Sequence, residues 1–276
     1  MQSHKLTFVL VILMIFSCKG YGQEINYGSN QGEYITLSNT NIYYEEYGSG
    51  IPLLLFHGGF GSIHDFQQVI PELSKNFRVI AVDSPGHGRS EQADSLSFDL
   101  MADHYSIMID QLQLDSVSII GYSDGGITAL LLAEKRPDKV NKIIASGVNS
   151  RMDGLTPEVL GYLKLINPDF IETNQKEWLA DYKSKSPEKD KWRKYIGDMS
   201  RMYSENVLIE EQTLSNIDAK VLLVYGDRDV IKLEHAIELY QSIAGSQFCV
   251  LPDTPHEVFS ESPELVCKIG IAFLTK

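Results

Sequence analysis

The chain has 276 residues, a formal net charge of −13, and hydrophobic and charged fractions of 43% and 22%. That is enough apolar sequence for one large folded domain behind a leader. The acidic balance argues against nucleic acid and anionic membrane surfaces as partners.

Lys5 precedes an apolar run over residues 6–16, too short to cross a bilayer and the right length for a signal-peptide core. Gly20-Tyr21-Gly22 offers a small-x-small cleavage site, so residues 1–22 are expected to be removed, with the exported chain (periplasmic or secreted) starting near Gln23. The second choice is a lipid anchor at Cys18, because Ile15-Phe16-Ser17-Cys18 resembles a lipoprotein box, with bulky Phe16 a poor fit. No Asn-x-Ser/Thr acceptor occurs, which favours a bacterial exported protein over a glycosylated one. Cleavage would leave Cys249 and Cys267, which could pair in an oxidising compartment or stay as free thiols.

After the leader, segments 34–37 and 42–47, joined by Ser38-Asn39-Thr40-Asn41, read as an antiparallel hairpin. Continuous apolar runs then alternate with helical segments. Strands are expected at 52–56, 77–82, 117–120, 140–145, 221–225 and 248–251. Helices are expected at 63–73, 98–112, 129–135, 233–243 and 263–274. Fully apolar strands alternating with helices mean an α/β fold, a mostly parallel sheet covered by helices on both faces. Ligands bind outside the carboxyl ends of such strands. Between 150 and 214 the strand rhythm stops, and the stretch is amphipathic and rich in aromatics, including Trp178, Tyr182, Trp192, Tyr195 and Tyr203. Most of these should pack the segment's own core. The expected organisation is a core in two parts, 23–149 and 215–276, with a helical lid, 150–214, inserted between strands.

The chemistry centres on 117–130, where a β-branched run ends in Gly121-Tyr122-Ser123-Asp124-Gly125-Gly126 and a helix follows. A strand turning sharply into a helix strains the middle serine and lifts its hydroxyl above the sheet edge. Free N–H groups at the helix start suit a developing negative charge there. A serine hydroxyl at its own pKa is a weak nucleophile, so Ser123 needs a base. His256, in Asp253-Thr254-Pro255-His256-Glu257, stands just past the last strand, and Asp229, in Gly226-Asp227-Arg228-Asp229, just past the preceding one. In that order His256 would take the proton from Ser123, and Asp229 would orient the ring. Asp227 is the rival for the acid. His57 and His87 sit in glycine-rich turns and are read as satisfying backbone groups; His4, His64, His104 and His235 lack a strand-end context. The oxyanion hole should use the N–H of Asp124 and a second from His57-Gly58-Gly59-Phe60, placed at Gly59 with Phe60 the near alternative. Phe60 is also expected to line the substrate site. Asp83, in a tight loop after a strand, is read as structural.

With these residues in place the chain resembles the α/β-hydrolase fold family over essentially its whole length after the leader. His57-Gly58-Gly59, Asp83-x-x-Gly86-x-Gly88-x-Ser90, Gly121-x-Ser123-x-Gly125-Gly126, Gly226-x-x-Asp229 and His256 match in order and spacing. The resemblance implies a Ser-His-Asp hydrolase that needs no cofactor, and no Cys/His cluster has metal-ligand spacing. A nucleophilic aspartate would have implied dehalogenase or epoxide hydrolase chemistry; Ser123 argues against both. Within the family, 123–130 is similar to the valacyclovirase group, the biphenyl hydrolase-like amino-acid ester hydrolases. There the acid beside the nucleophile holds the substrate's α-ammonium group, which implies that role for Asp124. The other reading is that Asp124 only complements the helix start. Both stay open.

The expectation is a hydrolase of small carboxylic esters acting through an acyl-serine intermediate. Alternatives with the same triad are a lactonase, a perhydrolase and a carbon–carbon bond hydrolase. The last usually carries a longer glycine-proline oxyanion motif, where this chain has Phe60-Gly61-Ser62. Proline iminopeptidases carry Trp where Asp124 stands. From a different class comes a non-catalytic hydrolase-fold binding protein. Nothing in the sequence sets the oligomeric state.

Overall fold

The computed structural model describes residues 32–206 and 208–276; the expected leader and Cys18 lie outside the described residues. Among the described residues eight strands form one sheet: β1 (Glu33–Leu37), β2 (Thr40–Tyr47), β3 (Ile51–Phe56), β4 (Phe77–Val82), β5 (Val117–Tyr122), β6 (Val140–Ser146), β7 (Lys220–Gly226) and β8 (Gln247–Leu251). Their order is β1-β2-β4-β3-β5-β6-β7-β8. From β4 through β8 every neighbouring pair is parallel, while β1–β2 and β2–β4 are antiparallel.

The central strands are apolar on both faces because each feeds two cores. Leu54 and Phe56 of β3 join Ile80, Ile119, Ile143 and Leu223 in one layer. Leu53 and Leu55 join Val79, Ile120, Ile144 and Leu222 in the other. The period-two alternation of a pleated strand thus survives inside a continuous apolar run. The first layer is roofed by α2 (Phe98–Gln111) and α3 (Asp124–Lys135), the second by α10 (Val258–Glu261) and α11 (Pro263–Leu274), with α1 (Ile70–Leu73) beside them.

Three expectations need correction. The single helix expected over 63–73 is a 3₁₀ turn, Ile63–Phe66, followed by one α-turn, α1. Pro71 is the cause: it has no N–H to give to residue 67, and its ring would strike that carbonyl. The helix after the serine begins at Asp124 rather than at 129, and is buried from there to Ala133. The hairpin turn is shorter than expected: Ser38 and Asn39, at φ 48° and 70°, close it alone, since Leu37 pairs with Thr40. Both central residues in the left-handed region match the right-handed twist of the two strands.

Between β6 and β7, with no further strand among the described residues, lie α4 (Pro157–Leu163), α5 (Pro168–Asn174), α6 (Lys176–Lys185), α7 (Trp192–Met202) and α8 (Glu211–Ser215). The last helix before β8 is α9 (Leu233–Ser242).

Candidate active site

Ser123 sits at the turn from β5 into α3 with φ 50° and ψ −118°, a conformation non-glycine residues rarely adopt. Its N–H donates to the Ser146 carbonyl at 2.8 Å, which ties the turn to the end of β6. The turn needs glycine on either side. A Cβ on Gly121 would lie 2.5 Å from the Gly125 carbonyl oxygen, and one on Gly125 2.0 Å from that of Phe56.

The structure brings Ser123, His256 and Asp229 into one hydrogen-bonded line. His256 Nε2 lies 3.1 Å from Ser123 Oγ, and His256 Nδ1 lies 2.7 Å from Asp229 Oδ1. Asp229 is held in turn by the Ile231 N–H at 3.0 Å, on the same Oδ1. Burial pushes the His256 imidazolium down, but Asp229, Glu257 and Asp124 outweigh it, and the net direction is up. The arrangement can therefore accept a proton from Ser123 and hold the resulting charge against Asp229. Asp227, the rival acid, accepts from the Thr254 N–H at 3.1 Å and fixes the loop that carries His256 instead.

The loop His57–Phe60 lies against the serine, with a Cβ on Gly58 falling 3.3 Å from that of Ser123. His57 braces it: Nδ1 lies 2.7 Å from the Gly58 carbonyl, and Nε2 accepts from the Ser84 N–H at 2.9 Å. Burial lowers this histidine to about 4, so it stays neutral and keeps both roles. His87, close to His57 and likewise buried, donates from Nδ1 to the Pro85 carbonyl at 3.0 Å. Asp83 holds the N–H groups of Ile63 and Arg89, a structural part.

Phe60 has φ 61°, and its carbonyl accepts from Trp178 Nε1 at 3.1 Å. Its ring meets Trp178, Tyr195 and Tyr203 at 5.6, 6.1 and 6.0 Å. These aromatics do more than pack the helical segment: they converge from α6 and α7 onto the loop over Ser123.

Asp124 points the same way. The residue is 9% exposed, and its Oδ2 accepts from Tyr203 Oη at 2.6 Å. Among the described residues it meets no lysine or arginine. Burial raises its carboxyl to about 6, against the Tyr203 hydrogen bond and the His256 charge, which pull it down. Sequence alone did not single out Tyr203. It is one aromatic among many, 79 positions from Asp124, and no local pattern marks which ring of an amphipathic segment will turn inward. The expected cysteine alternative is also settled for these residues: Cys249 and Cys267 are free thiols.

The family model for the alpha/beta hydrolase fold matches residues 51–177. A pimeloyl-[acyl-carrier protein] methyl ester esterase of Neisseria meningitidis is 28% identical over 229 residues, covering 76% of this chain and 88% of the relative. The serine hydrolase BPHL of Homo sapiens is 25% identical over 252 residues, covering 87% and 85%. Among solved structures, a meta-cleavage product hydrolase from Pseudomonas fluorescens superimposes with a TM-score of 0.71 at 20% identity, covering 88% of this chain and 97% of that one. Sheet order, strand-end placement and these matches agree: the fold is that of the α/β-hydrolases.

Proposed function

We propose that this chain, an α/β-hydrolase, is a serine hydrolase of small carboxylic esters that prefers esters of α-amino acids. The observation that carries the preference is Asp124, a buried carboxylate beside the nucleophile whose one hydrogen bond among the described residues comes from an uncharged hydroxyl. A buried carboxylate without a cationic partner is costly, and a substrate ammonium group would supply one. Similarity to BPHL and to a methyl ester esterase supports ester chemistry in the same fold.

In the proposed mechanism Ser123 attacks the ester carbonyl while His256 takes its proton. The N–H groups of Gly59 and Asp124 hold the oxyanion. His256 returns the proton to the leaving alcohol, then activates water to release the acyl group from Ser123. Asp229 keeps the ring oriented throughout. The helices between β6 and β7 act as a lid, which the Trp178–Phe60 hydrogen bond supports. We place the enzyme outside the cytoplasm, on the apolar run at 6–16 and the Gly20-Tyr21-Gly22 site. The mass of the chain recovered from its native host tests that location: a full-length product retained in the cytoplasm would refute it.

The function is tested by kcat/KM on valine methyl ester beside its N-acetyl twin, with wild type, Ser123→Ala and Asp124→Asn run together. A strong preference for the free amine that disappears in Asp124→Asn is expected. Equal rates on both esters, still dependent on Ser123, would leave a general esterase. Similarity to a meta-cleavage product hydrolase keeps carbon–carbon cleavage as the second reading. Hydrolysis of a vinylogous diketone with neither ester touched would favour it.

A further inference from the structure

Asp124 opens α3, and Tyr203 follows α7; the two meet from opposite sides of the site. Tyr203 donates its hydroxyl proton to Asp124 Oδ2 at 2.6 Å. A hydroxyl has one proton and two lone pairs, so with the proton committed, Tyr203 Oη faces any third group as an acceptor. Both oxygens pack against the same backbone position, Gly59. A Cβ built on Gly59 would fall 2.0 Å from Tyr203 Oη and 2.5 Å from Asp124 Oδ2. Gly59 belongs to the loop over Ser123, beside which the α-substituent of a bound acyl group would lie. Contact with Phe60 fixes the Tyr203 ring from the side.

We infer that Tyr203 is a specificity-determining residue: its Oη is the second acceptor for the substrate's ammonium group, beside Asp124. This rests on the amino-acid ester reading above. The two acceptors ask different things of the ligand. Asp124 asks for positive charge; Tyr203 asks for an N–H. A primary α-ammonium group meets both demands. A trimethylammonium group keeps the charge but has no N–H to give. An N-acetyl amide keeps an N–H and lacks the charge. The pair therefore selects primary or secondary ammonium groups over quaternary ones, and more strongly than the carboxylate alone, because each acceptor adds a hydrogen bond that a quaternary group cannot make.

The test measures kcat and KM for the methyl esters of valine, N-acetylvaline and N,N,N-trimethylvaline, with wild type, Tyr203→Phe and Asp124→Asn. Phenylalanine keeps the ring against Phe60 and removes only the acceptor. Tyr203→Phe is expected to lose about tenfold in kcat/KM on the valine ester, carried by KM, and nothing on the trimethyl ester. Equal losses on both cations would mean a merely structural tyrosine and overturn the inference. Gains on both would mean that the hydroxyl blocks the site, and would overturn it too. Should Asp124→Asn abolish the amine preference while Tyr203→Phe leaves it intact, the inference fails alone. Should Asp124→Asn leave the preference intact, the ester reading fails with it. Wild type gives a measurement that needs no variant: propylammonium should inhibit more strongly than propyltrimethylammonium, and equal inhibition would refute the role.

Discussion

Asp124→Asn should change how stability depends on pH, and the sign follows from burial. Folding raises the Asp124 carboxyl from an ordinary 3.8 to about 6, chiefly because burial disfavours the charge. The folded protein thus holds this proton more tightly than the unfolded chain does. The contribution to stability is fully present below the unfolded value and is lost as pH rises through about 6. The full difference corresponds to about 3 kcal/mol, of which about 2 to 3 should be lost between about pH 4 and about pH 8. Asparagine does not titrate, has nearly the same shape, and its amide oxygen can still accept from Tyr203. Urea unfolding of both proteins across that range should therefore show wild type losing ground to the variant as pH rises. The difference between the two curves isolates Asp124 from every other titrating group. A difference that stays flat with pH would refute the claim that Asp124 is buried without a lysine or arginine partner.

Four further outcomes are expected. Ser123→Ala or His256→Ala should cut turnover by more than about 10⁴-fold with an unchanged circular dichroism spectrum, and wild-type-like rates would sink the mechanism. Asp229→Ala should lower kcat by about 10³ to 10⁴-fold, and Asp227→Ala by less than about tenfold, since only Asp229 touches the ring. His256 must be neutral to accept the serine proton, and its imidazole is raised, so kcat/KM on the N-acetyl ester should rise with pH through a midpoint above 6.5. A midpoint below that value would contradict the carboxylates as its governing neighbours. Gly125→Ala forces a methyl group into the Phe56 carbonyl, so a thermal melt should show a loss of several degrees or no folded protein; an unchanged Tm would refute the packing of the turn.

The strand-turn-helix around Ser123 was legible in sequence because its constraints are local. Two glycines, a β-branched run and an apolar helix each leave a mark within a few positions. Asp229 and His256 were legible for a related reason: both follow apolar runs that end in turn residues, so their strand-end positions could be counted without knowing the sheet. What could not be read was contact across the chain. Tyr203 reaches Asp124 because α7 ends over the site, a matter of how helices pack, and the amphipathic pattern says only which residues are buried. Apolar spacing over 63–73 fits one helix, and Pro71 within it is what splits the segment. The choice between Gly59 and Phe60 for the second N–H of the proposed oxyanion hole turns on backbone direction, which residue type does not encode where φ can be positive.

The helical segment that bears Trp178, Tyr195 and Tyr203 leaves the sheet at the end of β6 and rejoins it at β7, two strands that lie side by side in parallel. Ser123, Asp229 and His256 all belong to the part of the chain outside that excursion. The layout keeps the proposed triad and the proposed lid in separate stretches of the chain, with Asp124 and Phe60 on the triad's side. Exit and return are neighbours, and closing a longer loop between fixed ends costs only about 0.6 kcal/mol per doubling of length. The excursion could therefore grow, shrink or be exchanged while the reacting atoms keep their places. Replacing 150–214 with the corresponding stretch of another protein of this architecture should yield a chain that still acylates its serine but no longer chooses the same acyl group. In that sense the proposed lid is an exchangeable intake on a fixed reactor, one contiguous block of sequence that would tune a substrate range Asp124 and Phe60 share in setting.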